Sequence, residues 1–156
     1  MPNQALFSQH NGGPECDAAL RPDVFSWETK VLFGDIDFYG VVYYLKYFDW
    51  CTRCREDFIT SLLPDELMTT FSSVAEVNHK FVRPAKMLDI VRIEASFSDI
   101  RKASVDMHFD IYRRADDGKE LLGTHRQKIL FLDREGRITR MTPALQATVR
   151  RYERHA

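Results

Sequence analysis

From Phe25 the chain alternates between large and small or polar side chains: Phe25, Trp27, Thr29, Val31 and Phe33 are separated by Ser26, Glu28, Lys30 and Leu32. A period of two predicts a strand with one face buried. At Tyr44 the period changes. Tyr44, Tyr47, Phe48, Cys51, Cys54, Phe58 and Leu62 recur at steps of three and four, the spacing of one helical face. Pro64 ends that helix, since a proline offers no N–H to the ladder. Four further strands are predicted over about residues 72–81, 89–100, 103–114 and 120–132. Between the last two, Ala115-Asp116-Asp117-Gly118-Lys119 carries the Asp and Gly that tight turns need, as does Asp133-Arg134-Glu135-Gly136 after them. The pairing is therefore antiparallel. Residues 143–155 predict a short terminal helix with Thr142 as N-cap and Pro143 in its first position. The order is α+β: a five-stranded antiparallel sheet wrapped around one long central helix would bury the helix stripe and one sheet face.

Composition narrows this picture. Residues 1–23 mix Asn, Gln, His and Gly-Gly-Pro without a period and predict a disordered tail, leaving 24–156 as one domain. The 44% hydrophobic and 12% aromatic content of 156 residues is enough for one core. A net charge of −1 excludes a bulk electrostatic footprint for nucleic acid or an anionic membrane surface. With no signal-like start and no apolar run long enough for a bilayer, the expected location is cytoplasmic. Cys16, Cys51 and Cys54 are an odd count and are expected to be reduced thiols. Cys51 and Cys54 form a C-x-x-C, but in mid-helix, away from the helix N-terminus that would lower a thiol pKa, so they read as buried apolar residues. His79, His108 and His125 fall on three different strands and read as satisfied strand histidines. No spacing resembles a metal set, and neither metal nor cofactor is expected.

The candidate chemistry lies in Asp35-Ile36-Asp37-Phe38-Tyr39-Gly40-Val41-Val42-Tyr43-Tyr44. A helix that begins near Tyr44 points its unpaired N–H groups back at this loop, which places a carboxylate beside an anion-stabilising helix end. Asp37 alone could equally cap the helix or sit in an exposed turn. Asp35, two residues earlier, reads as turn chemistry or as a like charge acting on Asp37.

The segment resembles the active-site stretch of the hotdog-fold acyl thioesterases related to 4-hydroxybenzoyl-CoA thioesterase. The resemblance follows the order of elements over residues 24–142 and is concentrated in 33–56. Phe81-Val82-Arg83-Pro84-Ala85 with Leu88-Asp89-Ile90-Val91 is similar to their second turn between strands, and Thr139-Arg140-Met141-Thr142-Pro143 to the exit from their last strand. It implies the hotdog fold and hydrolysis of an acyl-CoA or acyl-carrier-protein thioester. Asp37 then acts as nucleophile or general base, Gly40 gives the close approach of the turn, and the Tyr44 N–H polarises the carbonyl. Relatives carry His or Tyr at the last position, and Tyr44 makes the aryl-CoA type the nearer match.

The run from Trp50 through Arg53-Cys54-Arg55-Glu56 is similar to the hotdog thioesterases of enediyne polyketide pathways. Those place an arginine at the position of Arg55 and an asparagine where this chain has Asp37, and they act on a carrier-bound polyketide. Arg55 is thus a second catalytic candidate. Arg53 is as well explained by an ion pair with Asp49 or Asp57, and Arg55 by solvation.

Tyr39, Tyr43, Tyr47 and Trp50 would suit an apolar or aryl acyl pocket, or simply the core. Arg101, Lys102, Arg113 and Arg114 could hold the phosphates of coenzyme A or phosphopantetheine, or form a solvated sheet face. A hotdog dehydratase would need a histidine near Asp37, where there is none. A non-catalytic acyl-thioester binder is the alternative outside enzymology. One sheet around one helix leaves open edges, so a homodimer or homotetramer is expected.

Overall fold

The computed structural model describes residues 24–154. The expected tail, together with Cys16, lies outside them. Five strands form one antiparallel sheet: β1 (Phe25–Lys30), β2 (Phe71–Phe81), β3 (Ile90–Ser98), β4 (Ser104–Ala115) and β5 (Gly118–Leu132). Their order across the sheet is β1-β3-β4-β5-β2. The long helix α1 (Tyr44–Leu62) lies on one face, and α2 (Pro143–Arg151) closes one end of it. This is the hotdog arrangement that the pattern predicts.

Helix α1 turns Tyr47, Trp50, Cys51, Cys54 and Phe58 into the core. Phe58 meets Phe25, Phe97 and Tyr152 with ring centroids 5.1–5.4 Å apart. These edge and tilted contacts join helix, both neighbouring strands and the C-terminal segment into one cluster, and such pairs add to the burial of each ring. Thr142 caps α2 by accepting the Leu145 N–H at 3.2 Å, with Pro143 in the first position. Burial raises both helix thiols, Cys51 well above its ordinary value and Cys54 up to about 12. They are therefore protonated, free and inert, as a mid-helix C-x-x-C implies.

Two elements differ from the predicted pattern. The first strand stops at Lys30, and Phe33 enters a 3-10 turn (Phe33–Asp35) where it is 81% exposed, although it continues the alternation. Asp35 explains the break: its Oδ2 accepts the Leu32 N–H at 2.9 Å and closes a turn there. Tyr44 shares the helical stripe yet is half exposed, because α1 packs toward β1 and β3 and leaves its first turn open.

Strand β2 is an edge strand with only β5 beside it. The register Val77↔Gln127 and His79↔His125 places Val77, His79 and Phe81 on the same inner face as the buried Gln127 and His125. Val74, Val77 and Phe81 nonetheless remain more than a third exposed. Between α1 and β2, Tyr47 packs against Phe81 and Phe48 stacks on His79, with ring centroids 5.8 and 5.2 Å apart. β2 is drawn tightly onto β5 at Gly123, where a Cβ would stand 2.7 Å from the Lys80 carbonyl oxygen.

Candidate active site

Residues 36–42 form a small closed loop. Ile36 and Val42 pair as an antiparallel bridge, the Asp37 N–H donates to the Val41 carbonyl at 2.8 Å, and the Gly40 N–H donates to the Asp37 carbonyl at 3.0 Å. Gly40 has φ +75°, the left-handed region that glycine enters without strain, and no protein atom crowds it. The turn therefore needs this glycine for its backbone. Within the loop, Asp37 Oδ1 accepts the N–H of Tyr39 at 2.8 Å and that of Val41 at 3.4 Å. One carboxylate oxygen is thereby fixed and Oδ2 is left for other chemistry.

Helix α1 starts immediately after the loop. Tyr43 is its N-cap residue and supplies no side-chain cap, while the Tyr43 N–H donates to the Asp35 carbonyl at 2.9 Å. The Lys46 N–H turns back to the Tyr43 carbonyl at 2.9 Å, and the Tyr44 and Leu45 N–H groups lie at the positive end of the helix dipole without an intrahelical acceptor. A half-exposed carboxylate and an open helix start thus share one corner of the molecule. Asp35 is occupied separately, pairing with Lys46 Nζ at 3.1 Å. Phe38 and Tyr39 project from the loop, 98% and 85% exposed, and Tyr43 packs edge-on against Tyr44 at 4.9 Å. The exposed aromatic rings thus form an apolar patch beside the carboxylate.

Residues 31–149 match the thioesterase-like superfamily. The chain belongs to that superfamily. Among its relatives, the acyl-CoA thioesterase YbgC of Helicobacter pylori is 28% identical over 85 residues, covering 53% of this chain and 63% of the relative. The shared region therefore spans under two thirds of that relative. Among solved structures, a dynemicin thioesterase in a study of polyene binding superposes with a TM-score of 0.80 at 22% identity, covering 86% of this chain and all of the other. A 4-hydroxybenzoyl CoA thioesterase variant complexed with 4-hydroxybenzoyl CoA gives 0.72 at 17% identity, covering 81% and 99%. At such identities the two structures establish the fold.

The remaining candidates of this superfamily member fall in three places. Tyr47 and Trp50 are core side chains, packed edge-on at 5.5 Å, and the Tyr47 hydroxyl accepts the Ala85 N–H at 2.8 Å. Arg113 lies near the Asp37 corner but is held by Asp89 at 2.8 Å, Glu120 at 2.7 Å and the Pro84 carbonyl at 2.8 Å, while Arg114 faces Glu28 at 3.6 Å. Arg101 pairs with Asp99 at 2.9 Å before β4 begins, next to Lys102. The two basic pairs thus stand at opposite ends of a 12-residue strand, about 40 Å apart, and cannot grip one nucleotide together. Arg53 pairs with Asp49 at 3.0 Å on the helix surface.

Arg55 is the exception. It sits three turns along α1, about 16 Å from Tyr44, so within one chain it and Asp37 do not meet at one thioester. Its Nη1 donates to Gln127 Oε1 at 2.6 Å. Gln127 Nε2 lies 3.1 Å from His125 Nε2, and His125 Nδ1 lies 3.0 Å from His79 Nδ1. His79 and His125, 46 residues apart in sequence, are brought together by the β2–β5 register. The available signal was that His125 and Gln127 occupy inward positions of β5 in step with Ile129 and Phe131. Among the described residues no group of three or more His, Cys, Asp or Glu could hold a metal ion, and no helix is long and apolar enough to cross a membrane.

Burial lowers the His125 pKa to about 4, and the neighbouring His79 and Arg55 add to the effect. Between that value and the ordinary 6.5, the unfolded chain binds a proton that the folded chain refuses. Stability should therefore fall as pH drops through this window, by ~3 kcal/mol in all, and be insensitive to this group above it. Denaturant unfolding across the window, compared with His125→Gln, measures the contribution. An equally steep loss in the variant would assign it elsewhere.

Proposed function

We propose that the protein is a cytoplasmic thioester hydrolase that releases a free acid from an acyl-CoA or an acyl carrier protein. The observation that supports this most directly is the Asp37 carboxylate, held by two backbone N–H groups beside the uncapped start of α1. A thioester carbonyl placed there would have a nucleophile or general base on one side and the Tyr44 N–H for its developing oxyanion on the other. The acyl chain would then start from this corner, where Tyr39, Tyr43 and Phe81 are exposed. A partner subunit pairing along the open β2 edge would build a substrate tunnel between the subunits.

The guanidinium of Arg55, bound to Gln127 and without an acidic partner among the described residues, favours a second reading, an enediyne-type enzyme that releases a carrier-bound polyketide with Arg55 at the thioester. A panel of aryl, short, medium and long acyl-CoAs and a carrier-bound chain, read by thiol release, tests both. Tight binding without thiol release from any substrate would make the protein an acyl-thioester binder.

The handle of the substrate can be separated by ionic strength. If coenzyme A phosphates are held by exposed basic side chains, kcat/KM for acyl-CoA should fall severalfold as salt rises from about 0.05 to 0.5 M, since such contacts are screened. The same acyl group on pantetheine should respond little. Equal responses would remove a nucleotide site and favour a carrier protein.

A further inference from the structure

A run of hydrogen bonds leads from the buried face of α1 to the Asp37 carboxylate. The Tyr47 hydroxyl accepts the Ala85 N–H at 2.8 Å, the Ala85 carbonyl accepts the Val42 N–H at 2.9 Å, and Asp37 Oδ1 accepts the N–H of the adjoining Val41 at 3.4 Å. Val41 also bridges to Lys86. Residues 84–89 are thus a platform on which the 36–42 loop rests. From β4, Arg113 holds this platform by the Pro84 carbonyl and the Asp89 carboxylate, at 2.8 Å each, and Asp89 in turn accepts the Lys86 N–H at 2.8 Å.

Tyr47 holds the platform from the helix side. It follows Tyr44 by three residues, so one turn of α1 carries both the Tyr44 N–H and the hydroxyl that fixes Ala85. The backbone already joins helix to loop through Tyr43, and the contacts at Ala85 close a ring. A ring fixes a separation that a single joint leaves free. Here that separation is the one between the Asp37 carboxylate and the start of α1. Tyr47 and Ala85 are 4% and 0% exposed, so the contact is shielded from solvent. Burial raises the Tyr47 pKa above its ordinary value and keeps the group a neutral hydroxyl. Core packing alone does not call for that oxygen, since a phenylalanine would fill the same space.

On the Asp37 thioesterase reading, we propose that Tyr47 is a positioning residue for hydrolysis: through Ala85 and Val42 its hydroxyl holds the Asp37 carboxylate at attack distance from a carbonyl bound at the start of α1. It touches neither the substrate nor the carboxylate. Its effect therefore falls on kcat, because a small misplacement of the reacting group slows the chemistry without loosening the substrate.

Tyr47→Phe removes one oxygen and leaves the buried Ala85 N–H without its acceptor. It should lower kcat by about tenfold with KM within about twofold, and leave the shape of the pH profile unchanged. Val149→Ala, a truncation in α2 beside the Phe58 end of α1, controls for lost stability and should keep kcat within about twofold. Full kcat in Tyr47→Phe, or an equal loss in Val149→Ala at an equal drop in melting temperature, overturns the inference. In an Asp37→Asn background, Tyr47→Phe should change the residual rate by less than about twofold, since no carboxylate is left to position. A further tenfold loss there overturns the inference by showing that Tyr47 acts independently of Asp37. Loss of the alkaline limb in Tyr47→Phe overturns it by making the hydroxyl an acid. If Tyr47→Phe does not fold, amide exchange in the unmodified protein decides: Ala85 should exchange at least about a hundredfold more slowly than Phe38, and equal rates overturn the inference. Near-native turnover in Asp37→Asn alone removes the function on which the inference rests, whatever Tyr47→Phe does.

Discussion

Asp37→Asn should reduce thioester hydrolysis by about a hundredfold or more while the melting temperature stays within a few degrees of the unmodified protein. That is the usual scale for loss of a positioned base or nucleophile. Asparagine keeps an oxygen for the Tyr39 and Val41 N–H groups, so the loop retains its anchor and only the charge and basicity are lost. Asp37→Ala removes the anchor too. It should be no more active and somewhat less ordered at the loop. Initial rates by thiol release, with circular dichroism melts as the control for folding, separate the two effects. Near-native turnover in Asp37→Ala would defeat the acid mechanism and shift the chemistry to Arg55.

If the protein pairs along β2 as proposed, Val77→Asp should convert that dimer into a monomer. Val77 is 44% exposed in the single chain, so the substitution costs the protomer little. In an assembly that pairs β2 edges, the same carboxylate would be buried without a partner, which weakens association by ~3 kcal/mol or at least a hundredfold. Light scattering at micromolar concentration reads the change directly. A monomeric mass for the unmodified protein with activity intact would remove the shared tunnel from the functional picture.

The elements were legible where local period and punctuation agreed. Strand β5 alternates over its length and is bounded by Gly118 and the Asp133 turn, and α2 carries both its cap and its proline, so both were found within a few residues. Phe33 misled because period alone cannot see a turn closed by a side chain three residues on. Tyr44 misled because sharing a face with core residues does not decide whether anything covers that face. The Asp37 loop could be located from its order of residues, but its internal hydrogen bonds could not. The His79–His125 contact was out of reach, since it depends on the register of two strands far apart in sequence. The separation of the two basic pairs was hidden for a related reason: the distance between them is set by the length of β4.

The partly exposed edge strand β2 bears on how such a protein can diversify. Val74 and Val77 are 37% and 44% exposed, so their identities are less tightly tied to whether the chain folds than those of the core. A lineage, or a designer building a library, could vary these sites at small cost to stability, and on the proposed function sample new acyl preferences by doing so. Gly123 marks the boundary of that freedom, because any side chain there would pry β2 from β5 and take these sites with it.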